Sequence, residues 1–342
     1  MKPLKVRSWY EKCSSNWRCW FYRSSFGGLS FTVLDRIDVS SNQNRIYDLL
    51  SYQINSDRVT FVWHDLKAEI NSSVAKMLNE PSIILHLAAG SHVDRSIDDP
   101  LSFVMDNVVG TCNILNYART LTDLDRIVYF STDEVFGPAD EGQWFDEWDR
   151  YNSGNPYSAS KAGGEELAVA FHNTYALPVI ITHCMNVYGE RQHSEKFIPS
   201  TVRKLMNDET IQIHCDNRVE EIGSRVYMHA KEVCEALMYI VEQGEVGEKY
   251  NIVSDGKNRE IDNLEMAQKI ADVVGKELNC FVVHGKELIY EKVVDRGSGL
   301  GYDIRYGLSG NKLRDLGWKS EESLDDLLCE LVKWYMENEK WL

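Results

Sequence analysis

The chain has 342 residues, of which 43% are hydrophobic and 26% are charged, and its formal net charge is −16 at pH 7. These values are ordinary for a globular protein and allow one large domain or two unequal ones. The negative charge argues against a nucleic-acid-binding surface, which requires clustered Lys and Arg. No stretch is apolar enough over a sufficient length to span a membrane, and no signal-type block begins the sequence.

The eight cysteines show neither a C-x-x-C pair nor a spacing typical of zinc ligands. Several stand in apolar contexts that suit reduced thiols in a core. We therefore expect no metal site, and we expect the protein to reside in a reducing cytoplasm.

Residues 1–30 show neither helical nor strand periodicity. Beyond them, short apolar runs alternate with helix-compatible stretches. The runs that predict buried strands are Phe31–Asp35, Val59–Trp63, Ile83–Leu85, Ile127–Phe130, Pro178–Thr182 and Tyr250–Val253. This alternation predicts an α/β fold with a parallel sheet that is covered by helices on both faces.

The remaining elements suggest how the chain is divided. Helical spacing predicts helices over 100–120, 156–175, 232–242 and 324–336, and an acidic, aromatic loop spans 140–149. We expect residues 1–189 to form the sheet domain, with 230–254 returning to it. Residues 190–229 and 255–342 are expected to form most of a smaller substrate-binding domain.

Two segments carry the candidate chemistry. Ser131, Thr132, Asp133 and Glu134 follow a predicted strand, at the sheet edge where ligands bind in open α/β folds. Tyr157 and Lys161 are four residues apart and share one face of a helix that begins at Pro156. A nearby ammonium favours phenolate, so the tyrosine can act as a base near neutral pH. A solvated turn or a helix cap is the structural alternative for the two acids.

Three motifs together resemble a known superfamily. They are Ser-Thr-Asp-Glu-Val-Phe-Gly at 131–137, Asn-Pro-Tyr-Ser-Ala-Ser-Lys at 155–161 and Asn-Val-Tyr-Gly at 186–189. They resemble the extended short-chain dehydrogenases/reductases, and more narrowly the nucleotide-sugar 4,6-dehydratases of the dTDP-glucose type, over about residues 31–340. The resemblance implies a Rossmann-type doubly wound sheet with a smaller C-terminal substrate-binding part, NAD as cofactor and a homodimer.

The resemblance also implies a reaction and a role for each residue. NAD⁺ oxidises C4 of dTDP- or UDP-glucose while Tyr157, supported by Thr132 and Lys161, takes the hydroxyl proton. Glu134 then removes the C5 proton and Asp133 protonates the departing C6 oxygen. The C5 proton becomes acidic only once C4 is a ketone, so one site requires both an oxidation and a carboxyl pair.

Further residues follow from the same resemblance. The contacts implied for NAD are Asp35, Asp65, Leu66, Ala88, Ala89, Ser91, Asn107, Ser131, Tyr157, Lys161 and Asn186. The contacts implied for the nucleotide sugar are Ser91, His92, Thr132, Asn186, Lys196, Arg225, Asp295 and Arg296, with Arg305 a further candidate. An acid at the end of the second strand, here Asp35, favours NAD over NADP. Gly301-Tyr302-Asp303 departs from the family pattern, so the base of the nucleotide stays open.

Two other functions remain open. The first is another reaction on the same scaffold, a C4 epimerisation or a decarboxylation of a nucleotide sugar, against which Asp133 and Glu134 argue. The second is an inactive protein that only binds sugar nucleotides. Its support is the N-terminus, which lacks the expected glycine-rich turn that approaches the pyrophosphate.

The N-terminal segment permits a specific hypothesis. Asn-Trp-Arg-Cys-Trp-Phe-Tyr-Arg at 16–23 can be encoded so that reading one base later gives Thr-Gly-Gly-Val-Gly-Phe-Ile-Gly. Because Trp has one codon, glycine after the shift at Trp17 and Trp20 is forced. The segment would then be an out-of-frame translation of the normal motif; the alternative is an unusual but genuine N-terminus. For the polypeptide as written we expect weak NAD binding and low activity.

Overall fold

A computed structural model describes most of the chain. The described residues are 19–25, 28–37, 44–47, 53, 56–215, 219–253, 260–277, 288–294, 304–320 and 322–342. Within these ranges no helix is both long and apolar enough to cross a membrane. The same ranges contain no cluster of three His, Cys, Asp or Glu side chains suited to a metal ion.

A seven-stranded sheet forms the centre of the molecule, with strand order β10-β6-β5-β4-β1-β2-β3. Its strands are β1 (Cys19–Ser25), β2 (Gly28–Asp35), β3 (Val59–Trp63), β4 (Ile83–His86), β5 (Arg126–Thr132), β6 (Val179–Cys184) and β10 (Lys249–Ile252). All neighbouring pairs except those of β1 are parallel. The predicted strands and the Rossmann-type α/β class are therefore confirmed.

Helices cover both faces of this sheet. In chain order the helices are α1 (Asn44–Tyr47), α2 (Ser72–Leu78), α3 (Val93–Asp98), α4 (Pro100–Val104), α5 (Gly110–Ala118), α6 (Pro156–Tyr175), α7 (Phe197–Met206), α8 (Ala230–Gln243), α9 (Asn263–Glu277), α10 (Asn311–Leu316) and α11 (Leu324–Glu337). Short 3-10 turns occur at Ser56–Arg58, Asp133–Phe136 and Glu339–Trp341, and a π-helical turn, Met105–Val109, joins α4 to α5.

Alternation along β2 shows why both faces are covered. Val33 packs into the cluster that holds Leu237 of α8, whereas Leu34 packs into the cluster that holds Ile114 of α5 and Phe171 of α6. Successive side chains of a strand point to opposite faces, so a strand that is apolar at every position requires a helical layer on each side.

The N-terminal strand departs from the expectation. Residues 19–25, which show no periodicity in sequence, form β1, and this strand is antiparallel to both β2 and β4. Ser25 pairs with Gly28, so β1 and β2 form a hairpin with no helix between them. Residues 19–25 therefore form a strand although their sequence shows no periodicity, and the sheet is mixed at this position. Because β1 pairs through its backbone with both β2 and β4, it can form without an apolar pattern of its own. Residues 1–18, which include part of the proposed shifted motif, lie outside the described residues.

The C-terminal half adds a second core. Three strands, β7 (Asn186–Tyr188), β9 (Ser224–His229) and β11 (Glu260–Asp262), form one small sheet, and β8 (Ile211–Cys215) pairs with β12 (Tyr290–Val294). A cluster built on α7, α9 and α11 contains Val202, Ile270 and Leu331, each at most 2% exposed. The predicted helices at 232–242 and 324–336 correspond to α8 and α11.

Candidate active site

The Asp133–Phe136 turn follows directly from the carboxyl end of β5. Thr132 caps this turn, because its hydroxyl accepts the backbone N–H of Glu134 at 3.4 Å. The same hydroxyl donates to Asp133 Oδ1 at 2.9 Å. Gly137 ends the turn at φ 78°, and a Cβ there would lie 2.3 Å from the Asn152 carbonyl oxygen, so this position requires glycine. The local sequence thus holds both acids at the sheet edge.

Burial changes the proton affinity of both acids. Burial raises the pKa of Asp133 to about 6, opposed by the hydrogen bond from Thr132. Burial and the charge of Asp133 raise the pKa of Glu134 to about 7, opposed by the hydrogen bond that Asn155 donates to Glu134 Oε2 at 3.1 Å. Two carboxyl groups with raised pKa values can exchange protons near neutral pH. A solvated turn is excluded for Asp133, which is 6% exposed.

Helix α6 brings the phenol and the ammonium to the same place. Asn155 forms a capping box with Ser158, and Pro156 occupies the first turn, as the sequence predicts. The N–H of Tyr157 donates to Ser96 Oγ of α3 at 3.1 Å, which anchors the start of the helix. Tyr157 and Lys161 are 7% and 3% exposed.

The contacts of Tyr157 and Lys161 differ from a simple phenolate–ammonium pair. Burial raises the pKa of Tyr157 well above its usual value, and the charge of Glu134 adds to the rise, whereas the hydrogen bond with Thr132 lowers it. Burial lowers the pKa of Lys161 to about 7, and the charge of Glu165 opposes this effect. Lys161 Nζ donates to the Phe130 carbonyl at 2.6 Å and lies 4.4 Å from the Tyr129 ring centre.

One cavity of 650 Å³ receives these groups. Most of the residues that the sequence singles out line it: Ala89, Ser91, His92, Ser131, Thr132, Asp133, Glu134, Tyr157, Lys161, Asn186 and Lys196. Ser131 Oγ and Asp133 Oδ2 are buried and have no hydrogen-bond partner among the described residues. Buried polar atoms are usually paired, so two unpaired ones in a cavity indicate a site for a polar ligand.

Other predicted contact residues lie outside the cavity lining. Asp35 Oδ1 accepts the N–H of Ile37 at 2.7 Å, and Asp65 Oδ1 accepts that of Lys67 at 3.0 Å. The side chains of Leu66 and Ala88 pack against the core cluster beneath α5.

The side chains of Asn107 and Arg225 also lie outside the cavity lining and form hydrogen bonds within the protein. The Asn107 amide bonds the backbone of Gly90 through both its oxygen and its nitrogen and donates to Ser160 at 2.8 Å. Arg225 donates to the carbonyl oxygens of Ser224 and Ile304. We interpret Asn107 as a support for the loop after β4, which lines the cavity. Asp295, Arg296 and Tyr302 lie outside the described residues.

Arg36 lies beside Asp35 and does line the cavity. It forms two hydrogen bonds with Asp106 of the π-helical turn, at 2.5 and 3.0 Å, and Lys67 approaches the same carboxylate at 3.2 Å. Arg305, a further candidate for phosphate, instead binds Glu260 in two hydrogen bonds and stacks 4.7 Å over Trp144. Both guanidinium groups are therefore balanced by carboxylates of this chain.

The sequence did not single out several residues that line the cavity. Four lie on α8 and four on other segments: Ala230, Val233, Cys234 and Leu237, and Phe103, Gln192, Phe197 and Tyr227. Helical periodicity marks Val233 and Leu237 as buried, but it does not distinguish a core face from a cavity wall. No sequence signal marks Phe103, whose ring packs edge-on against Tyr157 at 6.3 Å.

The sequence of this chain is similar to those of known nucleotide-sugar dehydratases. The family model described as GDP-mannose 4,6 dehydratase matches residues 27–331. A dTDP-glucose 4,6-dehydratase of Xanthomonas campestris pv. campestris is 34% identical over 326 residues, covering 92% of this chain and 88% of the relative. The low-salt glycan biosynthesis protein Agl12 of Haloferax volcanii is 37% identical over 267 residues, covering 78% and 79%.

A solved structure extends the agreement to the fold. DesIV, a dTDP-glucose 4,6-dehydratase of Streptomyces venezuelae with NAD and TYD bound, superposes with a TM-score of 0.78 at 33% identity and covers 91% of this chain and 88% of its own. The chain therefore belongs to the GDP-mannose 4,6-dehydratase family and is similar, within it, to the dTDP-glucose 4,6-dehydratases.

Proposed function

We propose that this protein is a hydro-lyase that converts a nucleotide-activated glucose, dTDP- or UDP-glucose, into the 4-keto-6-deoxy sugar nucleotide in an NAD-dependent reaction. The observation that carries the proposal is the enclosure of Asp133 and Glu134 in one cavity with Tyr157. A simple oxidoreductase requires no carboxyl pair at this point, whereas dehydration requires an acid and a base.

The chain fits NAD in part. The residues that would hold it are Asp35, Ala89, Ser131, Lys161 and Asn186. The unpaired Ser131 Oγ supports the binding of a polar ligand in the cavity. Asp35 at the end of β2 disfavours a 2′-phosphate, and the neighbouring Arg36 is already bound to Asp106, so we expect NAD rather than NADP. The described residues contain no glycine-rich turn for the pyrophosphate, because β1 enters the sheet antiparallel at that position.

The reacting groups of the chain have separable tasks. When bound, NAD⁺ would accept a hydride from C4 of the sugar and return it at C6. Tyr157, which lines the same cavity as Thr132, would take the C4 hydroxyl proton. Glu134 and Asp133 then act on the C5 proton and the C6 hydroxyl. A pKa of about 7 suits Glu134 to proton transfer at neutral pH.

The pKa values of Glu134 and Asp133 indicate which of the two acids carries a proton before substrate binds. Glu134 has the higher value, about 7 against about 6 for Asp133, so it binds the first proton as the pH falls. The roles implied by the family, Glu134 as base and Asp133 as acid, require the reverse distribution when the C5 proton is removed. The two residues titrate as a pair, so substrate that contacts either one redistributes the proton.

The diphosphate of the substrate requires local cations in a chain of net charge −16. Lys196 lines the cavity and forms no ion pair with any described residue. Burial and the neighbouring Arg95 lower its pKa, whereas the charges of Glu134 and Glu195 raise it. An unpaired ammonium at the cavity wall supports Lys196 as a phosphate ligand. Arg225, Asp295 and Arg296 remain proposed contacts of the nucleotide.

A catalytically silent sugar-nucleotide-binding protein is the second candidate. The antiparallel β1 favours it, because the usual pyrophosphate turn depends on a parallel first strand. A C4 epimerase or a decarboxylase receives no such support, since neither reaction uses the Asp133–Glu134 pair.

One assay separates these candidates. Purified protein is incubated with dTDP-glucose or UDP-glucose, with and without added NAD⁺, and the alkali-induced absorbance of a 4-keto product is recorded. A dehydratase produces this absorbance and a 6-deoxy product by mass spectrometry. Substrate binding in calorimetry without any product would support the silent protein instead.

We further propose a cytoplasmic homodimer. Leu101 and Val104 of α4 are 69% and 41% exposed on the surface formed by the helices at 100–118 and 156–175, which suits contact with a second copy. Cys112, Cys184, Cys215, Cys234 and Cys329 are free thiols, as a reducing compartment would leave them. Light scattering of the purified chain tests the dimer, and Leu101→Glu with Val104→Glu is expected to yield monomers.

A further inference from the structure

A buried ion network lies one helical turn from Lys161. Tyr157, Lys161 and Glu165 follow each other at intervals of four along α6 and therefore share one face. The side chain of Glu165 is fully buried, as is that of His183 of β6, and Lys249 of β10 is only 4% exposed. None of these three charged side chains lines the catalytic cavity.

The contacts of Glu165 are specific. His183 Nε2 lies 3.1 and 3.2 Å from its two oxygens, and Lys249 Nζ lies 2.9 Å from Oε1. Tyr151, which follows the acidic, aromatic loop, donates its phenolic hydrogen to the same carboxylate. Burial would raise the pKa of Glu165, but His183 and Lys249 lower it well below its usual range. Glu165 is therefore a permanent buried anion.

The other ring nitrogen of His183 is held from β10. His183 Nδ1 lies 2.9 Å from Asn251 Oδ1. The amide nitrogen of Asn251 donates to the carbonyl oxygens of Phe145 and Ser309, which leaves its oxygen facing His183. Both ring nitrogens of His183 thus face oxygen atoms, so the ring is fixed from two sides. The buried Glu147 accepts the N–H of Asn251 at 3.0 Å and extends the network.

The network reaches the catalytic groups by two routes. The first is electrostatic: Lys161 forms no ion pair with a described residue, and Glu165 is the acid whose charge favours its ammonium form. The other groups that face Lys161 are Tyr129, whose hydroxyl donates to the Lys161 carbonyl at 3.0 Å, and His86, which burial keeps neutral by lowering its pKa to about 3.

The second route is packing. The ring of Phe136 contacts that of His183 edge-on, with ring centres 4.9 Å apart, and the ring of Tyr151 at 5.6 Å. Phe136 is the last residue of the turn that carries Asp133 and Glu134. A displacement of His183 would therefore shift both acids. A static buried network of this kind is a common way to hold reacting groups in position.

We propose that Glu165, held by His183 and Lys249, is a positioning residue for the dehydration: it maintains the charge of Lys161 and, through His183 and Phe136, the placement of Asp133 and Glu134. It touches neither substrate nor cofactor. This inference rests on the function proposed above, but its first consequence, the charge of Lys161, is measurable without any turnover.

The decisive measurement is the titration of Lys161 by NMR. The full-length chain is labelled with ¹³C at lysine Cε, and Lys161→Met assigns the resonance. Glu165→Gln keeps the size of the side chain and removes its charge, so we expect the titration midpoint of Lys161 to fall by about one pH unit or more. An unchanged midpoint would overturn the proposal.

Glu147→Gln is the matched control. It makes the same substitution in the same network, with the same change in charge, and its amide oxygen can still accept the N–H of Asn251. It is expected to lower the unfolding temperature while leaving the Lys161 midpoint in place. An equal fall in both variants would show a general effect of network charge and would contradict a specific role for Glu165.

A second variant keeps the test valid if Glu165→Gln does not fold. Removing one partner of a buried ion pair leaves the other charge buried and uncompensated, so Glu165→Gln alone is expected to destabilise the fold. Glu165→Gln with Lys249→Met removes one anion and one cation together and is expected to fold and to show the same lowered Lys161 midpoint. In an active enzyme, the alkaline limb of the kcat profile moves to lower pH by the same amount, with KM for the nucleotide sugar unchanged. A lowered midpoint in a chain that forms no 4-keto product would support the effect of Glu165 on Lys161 and reject the proposed function.

Discussion

Thr132 Oγ1 donates to Asp133 Oδ1 at 2.9 Å while accepting the backbone N–H of Glu134, so one hydroxyl fixes both residues of the carboxyl pair. The same hydroxyl lowers the pKa of the Tyr157 phenol, against the larger effect of burial. The proposed base for the oxidation and the proposed acids for the dehydration therefore both depend on Thr132.

Replacing Thr132 with valine is expected to impair both steps. The turn loses its cap, which costs about 1 kcal/mol, and Asp133 loses the hydroxyl that donates to it, so we expect kcat to fall by roughly tenfold to a hundredfold. Thr132→Ser is the control, because it keeps the hydroxyl. Steady-state kinetics and urea unfolding test both; equal activity of the valine and serine variants would show that the hydroxyl is dispensable.

Variants of Glu134 and Asp133 are expected to block different steps of the dehydration. Glu134→Gln should abolish exchange of the C5 hydrogen with D₂O, whereas Asp133→Asn should retain exchange and lose elimination of water, each with a fall in kcat of about 10²–10⁴. Mass spectrometry of recovered sugar nucleotide measures the exchange. Loss of exchange in Asp133→Asn with retention in Glu134→Gln would reverse the assigned roles, as the order of their pKa values suggests.

Burial of Glu134 is expected to reduce stability at neutral pH. Its pKa is raised from 4.5 to about 7, so between these values the folded state binds more protons than the unfolded state. Stability therefore decreases as the pH rises through this window. Glu134→Gln removes the penalty and should stabilise the fold by roughly 1–3 kcal/mol at pH 8, but little at pH 4.

Urea unfolding at the two pH values measures this difference. The control is Glu141→Gln, since Glu141 is an exposed acid in the loop at 140–149. A stability gain for Glu134→Gln that is the same at pH 4 and pH 8 would contradict an origin in the raised pKa.

Two adjacent glycines of α6 provide a test of packing. A Cβ at Gly164 would lie 2.5 Å from both the Asn107 carbonyl oxygen and the Tyr129 hydroxyl, whereas a Cβ at Gly163 would meet only a side-chain methyl of Val108 at 3.1 Å. We expect Gly164→Ala to destabilise the fold by about 1–3 kcal/mol and Gly163→Ala to have a much smaller effect. Thermal unfolding compares them, and similar losses would disprove this account of the helix contact.

The N-terminal hairpin leads to a prediction about NAD. The chain as written is expected to purify without NAD and to bind it weakly, because the position of the first sheet strand holds the antiparallel β1. Replacing Asn16–Arg23 with Thr-Gly-Gly-Val-Gly-Phe-Ile-Gly should lower the Kd for NAD by at least about tenfold, measured by calorimetry. Stoichiometric NAD in the unmodified protein would contradict the prediction.

The coding sequence tests the origin of the same segment. The frameshift hypothesis requires codons at 16–23 that give the glycine-rich motif when read one base later. Any other codons would reject it and leave a genuine, divergent N-terminus.

Some of this protein could be predicted from residue patterns alone. Apolar runs of strand length determined the positions of β2 to β6 and β10, and Asn155–Pro156 determined where α6 begins, because strand periodicity and helix capping are local properties. The proposed catalytic residues, Thr132, Asp133, Glu134, Tyr157 and Lys161, were also indicated by sequence, because they lie in two short motifs, one at a strand end and one on a helix face.

Other features were decided only by the tertiary structure. The antiparallel direction of β1 depends on pairing with β2 and β4, which no pattern within residues 19–25 encodes. The contacts of His183 depend on Asn251, which is 68 residues away, and on Glu165 from a different element. Local sequence determines which residues form an element, but burial and long-range contacts determine the charge of each group, because the cost of desolvation depends on everything that surrounds it.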